Sequence, residues 1–106
     1  NKESNSNNNN MPNPKEELLK AARTGKQDLI IKWLNRGADI DDTDEYGQTC
    51  LMQCCLQDSV ETLDLLIRMG AKIHTRNHFG KTALHYAASS GSLQCVKRLL
   101  DLGARI

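Results

Sequence analysis

Gly-Ala-Asp-Ile at residues 37–40 returns as Gly-Ala-Lys-Ile at residues 70–73 and as Gly-Ala-Arg-Ile at residues 103–106. Both intervals are 33 residues long. Other segments keep the same phase, since Tyr-Gly-Gln-Thr at residues 46–49 becomes Phe-Gly-Lys-Thr at residues 79–82. A constant period of this length indicates a repeat protein, in which each repeat is one small unit of secondary structure.

The pattern within each unit predicts two helices joined by a tight turn. In the last unit Thr82 is a suitable N-cap, and Gly91 can end the first helix in a left-handed conformation. Apolar residues then recur three and four positions apart, which is typical of a helix with one buried face. The predicted helices lie near residues 14–24, 27–36, 49–56, 60–69, 82–90 and 93–102.

One helix pair cannot cover its own apolar face, so the units must stack side by side and share one elongated core. The predicted fold is all-α, an α-solenoid of three helix-turn-helix units joined by long loops. We place the units at residues 13–40, 41–73 and 74–106. The second helix of the last unit has no polar residues in place of its apolar ones, so we expect the array to continue beyond residue 106 in a longer protein.

An Asn-rich tail precedes the repeats at residues 1–12. Six of the first ten residues are Asn, and none of these ten is a large apolar residue. Such a segment buries too little surface to offset the entropy lost on ordering, which predicts a disordered tail. Helical order should begin at Asn13, a good N-cap, and Pro14, which suits the first helical position.

Residues 14–106 resemble the ankyrin-repeat family through their period and through Gly-Lys-Thr-Ala-Leu-His-Tyr-Ala-Ala at residues 80–88. Thr-Ala-Leu-His at residues 82–85 is similar to the family's Thr-Pro-Leu-His signature, with Ala83 in the proline position. Of the three units, only this one has the signature imidazole, His85, which the resemblance implies bridges neighbouring loops. Asp58 stands where the other units have glycine, and aspartate tolerates the left-handed conformation.

Composition excludes several classes of function. The 106 residues carry 14 basic and 13 acidic side chains, a net charge of +1, which does not favour binding to nucleic acid or to an anionic membrane. No apolar stretch approaches the ~20 residues of a membrane span, and the first residues lack the apolar core of a secretory signal. Four cysteines without signs of export indicate a reducing compartment, the cytoplasm or alternatively the nucleus.

The cysteines admit two interpretations. Cys50, Cys54 and Cys55 could bind zinc together with Cys95 and a histidine, either His74 or His85. However, the pair at positions 54 and 55 is an Ala-Ala pair in both other units, which indicates small buried side chains where helices approach closely. We therefore predict structural packing, with no metal and no cofactor, and keep a metal-binding protein as the alternative.

The sequence predicts no enzyme. It contains no nucleophile with a base at a defined spacing, no carboxylate pair within one element and no phosphate-binding glycine loop. The resemblance instead implies a protein-protein interaction module, a scaffold or adaptor. The alternative is a regulatory or targeting ankyrin segment of a larger multidomain signalling enzyme.

The resemblance also implies a concave binding surface of loop tips and first helices. We expect a monomer that binds an unidentified protein and neither binds nucleic acid nor inserts into membranes. Tyr46 and Phe79 occupy the same loop-tip position, and aromatic residues are favoured anchors of interfaces. The first loop is acidic and the second basic; the loops either neutralise each other or form a bipolar groove. The predicted partner-binding residues are Glu45, Tyr46, Gln48, Leu56, Gln57, Met69, His78, Phe79, Lys81, Ser89, Ser90 and Leu102.

Overall fold

The computed structural model describes residues 12–105, and within them the chain forms six helices and no strand. The all-α prediction and the three helix pairs are confirmed, with every helix end within one residue of its expected position. The small differences arise because capping residues such as Thr49 and Leu102 flank the helices instead of belonging to them. The helices are α1 (Pro14–Thr24), α2 (Gln27–Asn35), α3 (Cys50–Leu56), α4 (Val60–Arg68), α5 (Ala83–Ser89) and α6 (Leu93–Asp101).

Local sequence signals place the ends of the first helices. Asn13 caps α1, its side chain accepting a hydrogen bond from the backbone N–H of Lys15 at 3.0 Å. The tight turn after each first helix contains one residue with positive φ: Gly25 at 69°, Asp58 at 55° and Gly91 at 74°. Asp58 is the one non-glycine residue with positive φ among residues 12–105, so the prediction that aspartate substitutes for glycine here is confirmed.

The core runs along the stack of first helices. Leu18 and Leu51, at equivalent positions in α1 and α3, are fully buried or nearly so, and Leu84 in α5 is also buried. Helix α3 packs closely against both α1 and α5, whereas the second helices of neighbouring units touch much less. Because the first helices approach each other more closely, the stack curves and the first helices lie on its concave side.

The last unit has one open side. Ala22 and Cys55 have no exposed surface, but the equivalent Ala88 in α5 is exposed. The first two are covered by the next unit, and within residues 12–105 no unit packs on the third. The predicted tail, apart from Pro12, and the final Ile106 lie outside the described residues. None of the helices described is long and apolar enough to cross a membrane.

Candidate partner-binding surface

The first loop tip is built around Asp44. Its carboxylate oxygen Oδ1 accepts hydrogen bonds from the backbone N–H groups of Tyr46 and Gln48, both at 2.9 Å. The backbone closes the same turn, since the N–H of Asp44 donates to the carbonyl of Gln48 and the N–H of Gly47 donates to the carbonyl of Asp44, both at 3.0 Å. These four hydrogen bonds hold Tyr46 in a single backbone conformation.

The second loop tip repeats this construction around Asn77, 33 residues later. Its Oδ1 accepts from the N–H groups of Phe79 at 2.9 Å and Lys81 at 3.0 Å, and its amide Nδ2 donates to the Tyr86 hydroxyl at 2.6 Å. Asn77 is buried. The sequence analysis did not identify Asp44 and Asn77 as loop organisers, although a signal was present: each precedes the aromatic-glycine pair by two residues in all loops of this phase.

Direct contacts join the two loops. The backbone N–H of His78 donates to the carbonyl of Tyr46 at 2.9 Å, and the N–H of Lys72 donates to Oδ1 of Asp41 at 3.0 Å. The loop tips are therefore neighbours along the concave side, held at one spacing by hydrogen bonds.

Tyr46 and Phe79 form a stacked pair on these loops. Their ring centroids lie 6.2 Å apart with an interplanar angle of 27°. Despite this contact, 50% of the Tyr46 surface and 63% of the Phe79 surface stay exposed. Aromatic side chains with this much exposed surface on well-ordered backbone are suited to anchor a partner, because little side-chain freedom is left to lose on binding.

The other predicted loop residues surround this pair. Glu45 lies on the acidic loop, and His78 and Lys81 lie on the basic one; all three are exposed. Gln48 is half-buried, and its side-chain oxygen Oε1 is buried without a hydrogen-bond partner among the described residues. The structure thus brings six of the predicted residues together at the loop tips: Glu45, Tyr46, Gln48, His78, Phe79 and Lys81.

The remaining predicted residues lie elsewhere. Leu56, Gln57, Ser89 and Ser90 lie at the C-terminal ends of α3 and α5, on the concave side but beyond the loops. The Ser90 hydroxyl donates to the Cys55 carbonyl at 2.9 Å, so it links two units. Met69 and Leu102 are the C-caps of the second helices α4 and α6, which form the outer layer.

No ion pair joins the acidic and basic loops among residues 12–105. The ion pairs there are Lys20–Glu17 within α1 and Arg98–Asp64 between α6 and α4. The loop aspartates instead accept backbone hydrogen bonds, as Asp42 does from the N–H of Asp39. The side-chain charges of both loops stay available to a partner, which is what a bipolar groove requires.

The role expected for His85 differs in the structure. Its ring nitrogen Nδ1 accepts a hydrogen bond from the backbone N–H of Thr82 at 3.0 Å. This contact lies within one unit and helps to cap α5, whereas the resemblance implied a bridge between neighbouring loops. The ring makes no hydrogen bond to another loop among the described residues, because no loop lies on that side of the last unit.

The cysteines lie in the core. All four are free thiols with no exposed surface. Burial, with the nearby Asp42 carboxylate, raises the pKa of Cys50 to about 12. A hydrogen bond with Cys55, together with burial, raises the pKa of Cys54. Buried neutral thiols of this kind are poor nucleophiles and poor metal ligands, because both roles need the thiolate.

Residues 12–105 contain no group of three or more His, Cys, Asp or Glu side chains arranged to bind a metal ion. The burial of Cys54 and Cys55 agrees with their interpretation as small packing residues. We therefore expect Cys54→Ala and Cys55→Ala each to lower the free energy of unfolding by about 1 kcal/mol, measured by urea denaturation. Stoichiometric zinc in the purified protein, or unfolding by a chelator, would contradict the packing interpretation.

A curved stack of three helix pairs, with paired loop tips projecting along its concave side, defines an α-helical repeat protein. The family model described as ankyrin repeats, in three copies, matches residues 18–106. The chain therefore belongs to the ankyrin-repeat family, as the sequence predicted. Ankyrin repeats are generally protein-protein interaction modules and are typically non-catalytic. No curated protein matches the chain in sequence.

Proposed function

We propose that the chain is a scaffold or adaptor module that binds a protein partner through its loop tips. The observation that supports this proposal is the exposed, stacked pair of Tyr46 and Phe79, 6.2 Å apart on loops joined by hydrogen bonds. The anchors sit centrally on this surface, and interface hot spots are enriched in such aromatic side chains.

The loops are preorganised for this role. Asp44 and Asn77 each accept two backbone hydrogen bonds that shape the tips, and His78 links one tip to the next. A rigid surface loses little conformational entropy on binding, so more of the contact free energy appears as affinity.

The charge distribution supports orientation of the partner. Glu45 lies beside Tyr46, and Lys81 lies beside Phe79 at the other end of the aromatic pair. A partner with an apolar centre flanked by a basic and an acidic side chain would complement this surface in one direction only. We propose that the module acts as a monomer in the cytoplasm or nucleus, where its four free thiols would stay reduced.

The test is the double variant Tyr46→Ala/Phe79→Ala. For a partner identified by crosslinking at these loops, we expect the dissociation constant to rise by a factor of about 30, corresponding to roughly 2 kcal/mol, measured by isothermal titration calorimetry. Circular dichroism should show an unchanged fold, since exposed loop tips contribute little core.

The control variants are Glu61→Lys and Lys97→Glu, on the second helices α4 and α6. Both residues are exposed, whereas Asp64, which the sequence suggested as a control, is half-buried and paired with Arg98 at 3.2 Å. We expect the controls to bind as the wild type does. Normal binding by the double variant, with binding lost in the controls, would contradict the proposal.

A further inference from the structure

The last unit bears a basic cleft of about 530 Å³ between its loop and the segment after α6. Four of its lining residues carry basic side chains, His74, Arg76, His85 and Arg105, and none of the lining residues is acidic. Neither arginine forms an ion pair within residues 12–105. The cleft therefore presents positive charge that the described part of the chain does not neutralise.

The basic character is specific to this edge of the stack. Between the first two units, Asp41 accepts the backbone N–H of Lys72 at 3.0 Å. One period later, His74 stands in the place of Asp41, and Arg105 stands in the place of Lys72. The carboxylate acceptor that joins the earlier loops is replaced by a basic ring, so any group that docks here must bring its own acceptor oxygens.

This side of the last loop is also open. A Cβ atom added at Gly47 would meet His78 of the next loop, but one added at the equivalent Gly80, which lines the cleft, would meet nothing within 4 Å. The hydrogen bonding of His85 adds a donor to the cleft lining. Because its Nδ1 accepts from Thr82, the neutral ring carries its proton on Nε2.

A smaller apolar cleft of about 110 Å³ adjoins the basic one. It is lined by Leu84 and Ala88 and shares His85 and Arg105 with its neighbour. A ligand that fills both clefts has an anionic group next to a small apolar group.

We propose that these two clefts bind a phosphorylated side chain and the apolar residue beside it in a peptide segment of the protein partner. The inference rests on the proposed function, because it takes the anion to be part of a bound protein. Phosphate suits the cleft better than carboxylate, since it offers three acceptor oxygens and a charge of about −1.5 to −2 to two guanidinium groups, each with several donors. A recess admits a protruding side chain, whereas a membrane would need a flat or convex basic surface.

The probes are the peptide acetyl-Ala-phosphoserine-Leu-Ala-amide, its unphosphorylated form, and inorganic phosphate, titrated into the full chain and followed by amide shifts in ¹H–¹⁵N NMR spectra. We expect the phosphopeptide to bind about 10-fold or more tighter than the unphosphorylated peptide. It should also bind tighter than inorganic phosphate, with the largest shifts at residues 73–80 and 104.

The variant Arg76→Gln/Arg105→Gln should weaken phosphopeptide binding by about 10-fold or more, because it removes both guanidinium groups. The matched control Lys26→Gln/Lys97→Gln removes the same charge at exposed positions outside the clefts and should change the affinity by less than about 2-fold. The Tyr46→Ala/Phe79→Ala variant should bind the phosphopeptide normally, so a failure of the loop-tip proposal is separable from a failure of this one.

Three results would overturn the proposal. Equal binding by the wild type and the arginine variant would exclude the basic cleft, and an equal loss in the lysine control would indicate unspecific charge attraction. Inorganic phosphate binding as tightly as the phosphopeptide would exclude the apolar cleft from recognition. Tighter binding to phosphatidylserine vesicles than to the phosphopeptide would identify a membrane surface as the partner.

Discussion

Replacing Leu51 with alanine is expected to lower the free energy of unfolding by about 2–5 kcal/mol. Leu51 is 1% exposed and lies in α3, which packs against both α1 and α5. The substitution removes buried methyl groups and leaves a cavity that two neighbouring helices cannot both close. For a domain whose total stability is about 5–15 kcal/mol, this is a large share, and urea denaturation followed by circular dichroism measures it.

Leu93 provides the matched control, because Leu93→Ala is the same chemical change on a side chain that is 78% exposed. We expect its effect to stay below about 0.5 kcal/mol. Leu84→Ala tests the end of the stack: Leu84 has the equivalent position in α5 but is covered by one neighbouring first helix instead of two, so its loss should fall between the other two. Equal losses at Leu51 and Leu93 would contradict the stacked core.

The helices were predictable from the sequence because their signals are local. Asn13, Thr82 and Gly91 act within one turn of the chain, and the 33-residue phase transfers each signal from one unit to the next. Even Asp58 followed the pattern, since its left-handed conformation is demanded by its position in the unit. The repeat therefore supplied three readings of one structure.

The binding surface was only partly predictable, because its geometry depends on contacts between units. Tyr46 and Phe79 share a phase, but their stacking depends on the hydrogen bond from His78 to the Tyr46 carbonyl. The Ser90 hydroxyl reads as a free surface group in the sequence, yet it bonds to Cys55, 35 residues earlier. A periodic pattern identifies equivalent positions and does not show which of them touch.

The end of the array explains the altered role of His85. A histidine that bridges loops needs a following loop, and the described chain has none beyond this unit. The same absence of a neighbour leaves Ala88 exposed and opens the basic cleft. Residues that a repeat would bury in its interior thus become candidates for recognition at its edge.

Replacing Gly47 with alanine is expected to lower the free energy of unfolding by about 2–5 kcal/mol, from two additive causes. The φ angle of Gly47 is 78°, in the left-handed region where alanine is strained by about 1–2 kcal/mol. The added Cβ would also lie 2.8 Å from the Cδ2 atom of His78 and 3.2 Å from its backbone nitrogen. That nitrogen donates to the Tyr46 carbonyl, so the clash weakens the hydrogen bond that joins the loop tips.

Gly80→Ala separates the two causes. The φ angle of Gly80 is 74°, so its backbone strain is nearly the same, but its added Cβ meets nothing within 4 Å. We expect this variant to lose only the strain of about 1–2 kcal/mol, and urea denaturation of both variants gives the difference. Gly47→Ala should also weaken partner binding, because relieving the clash moves Tyr46 away from Phe79. Equal stability losses in the two variants would show that the loop tips do not pack as tightly as His78 and Gly47 indicate.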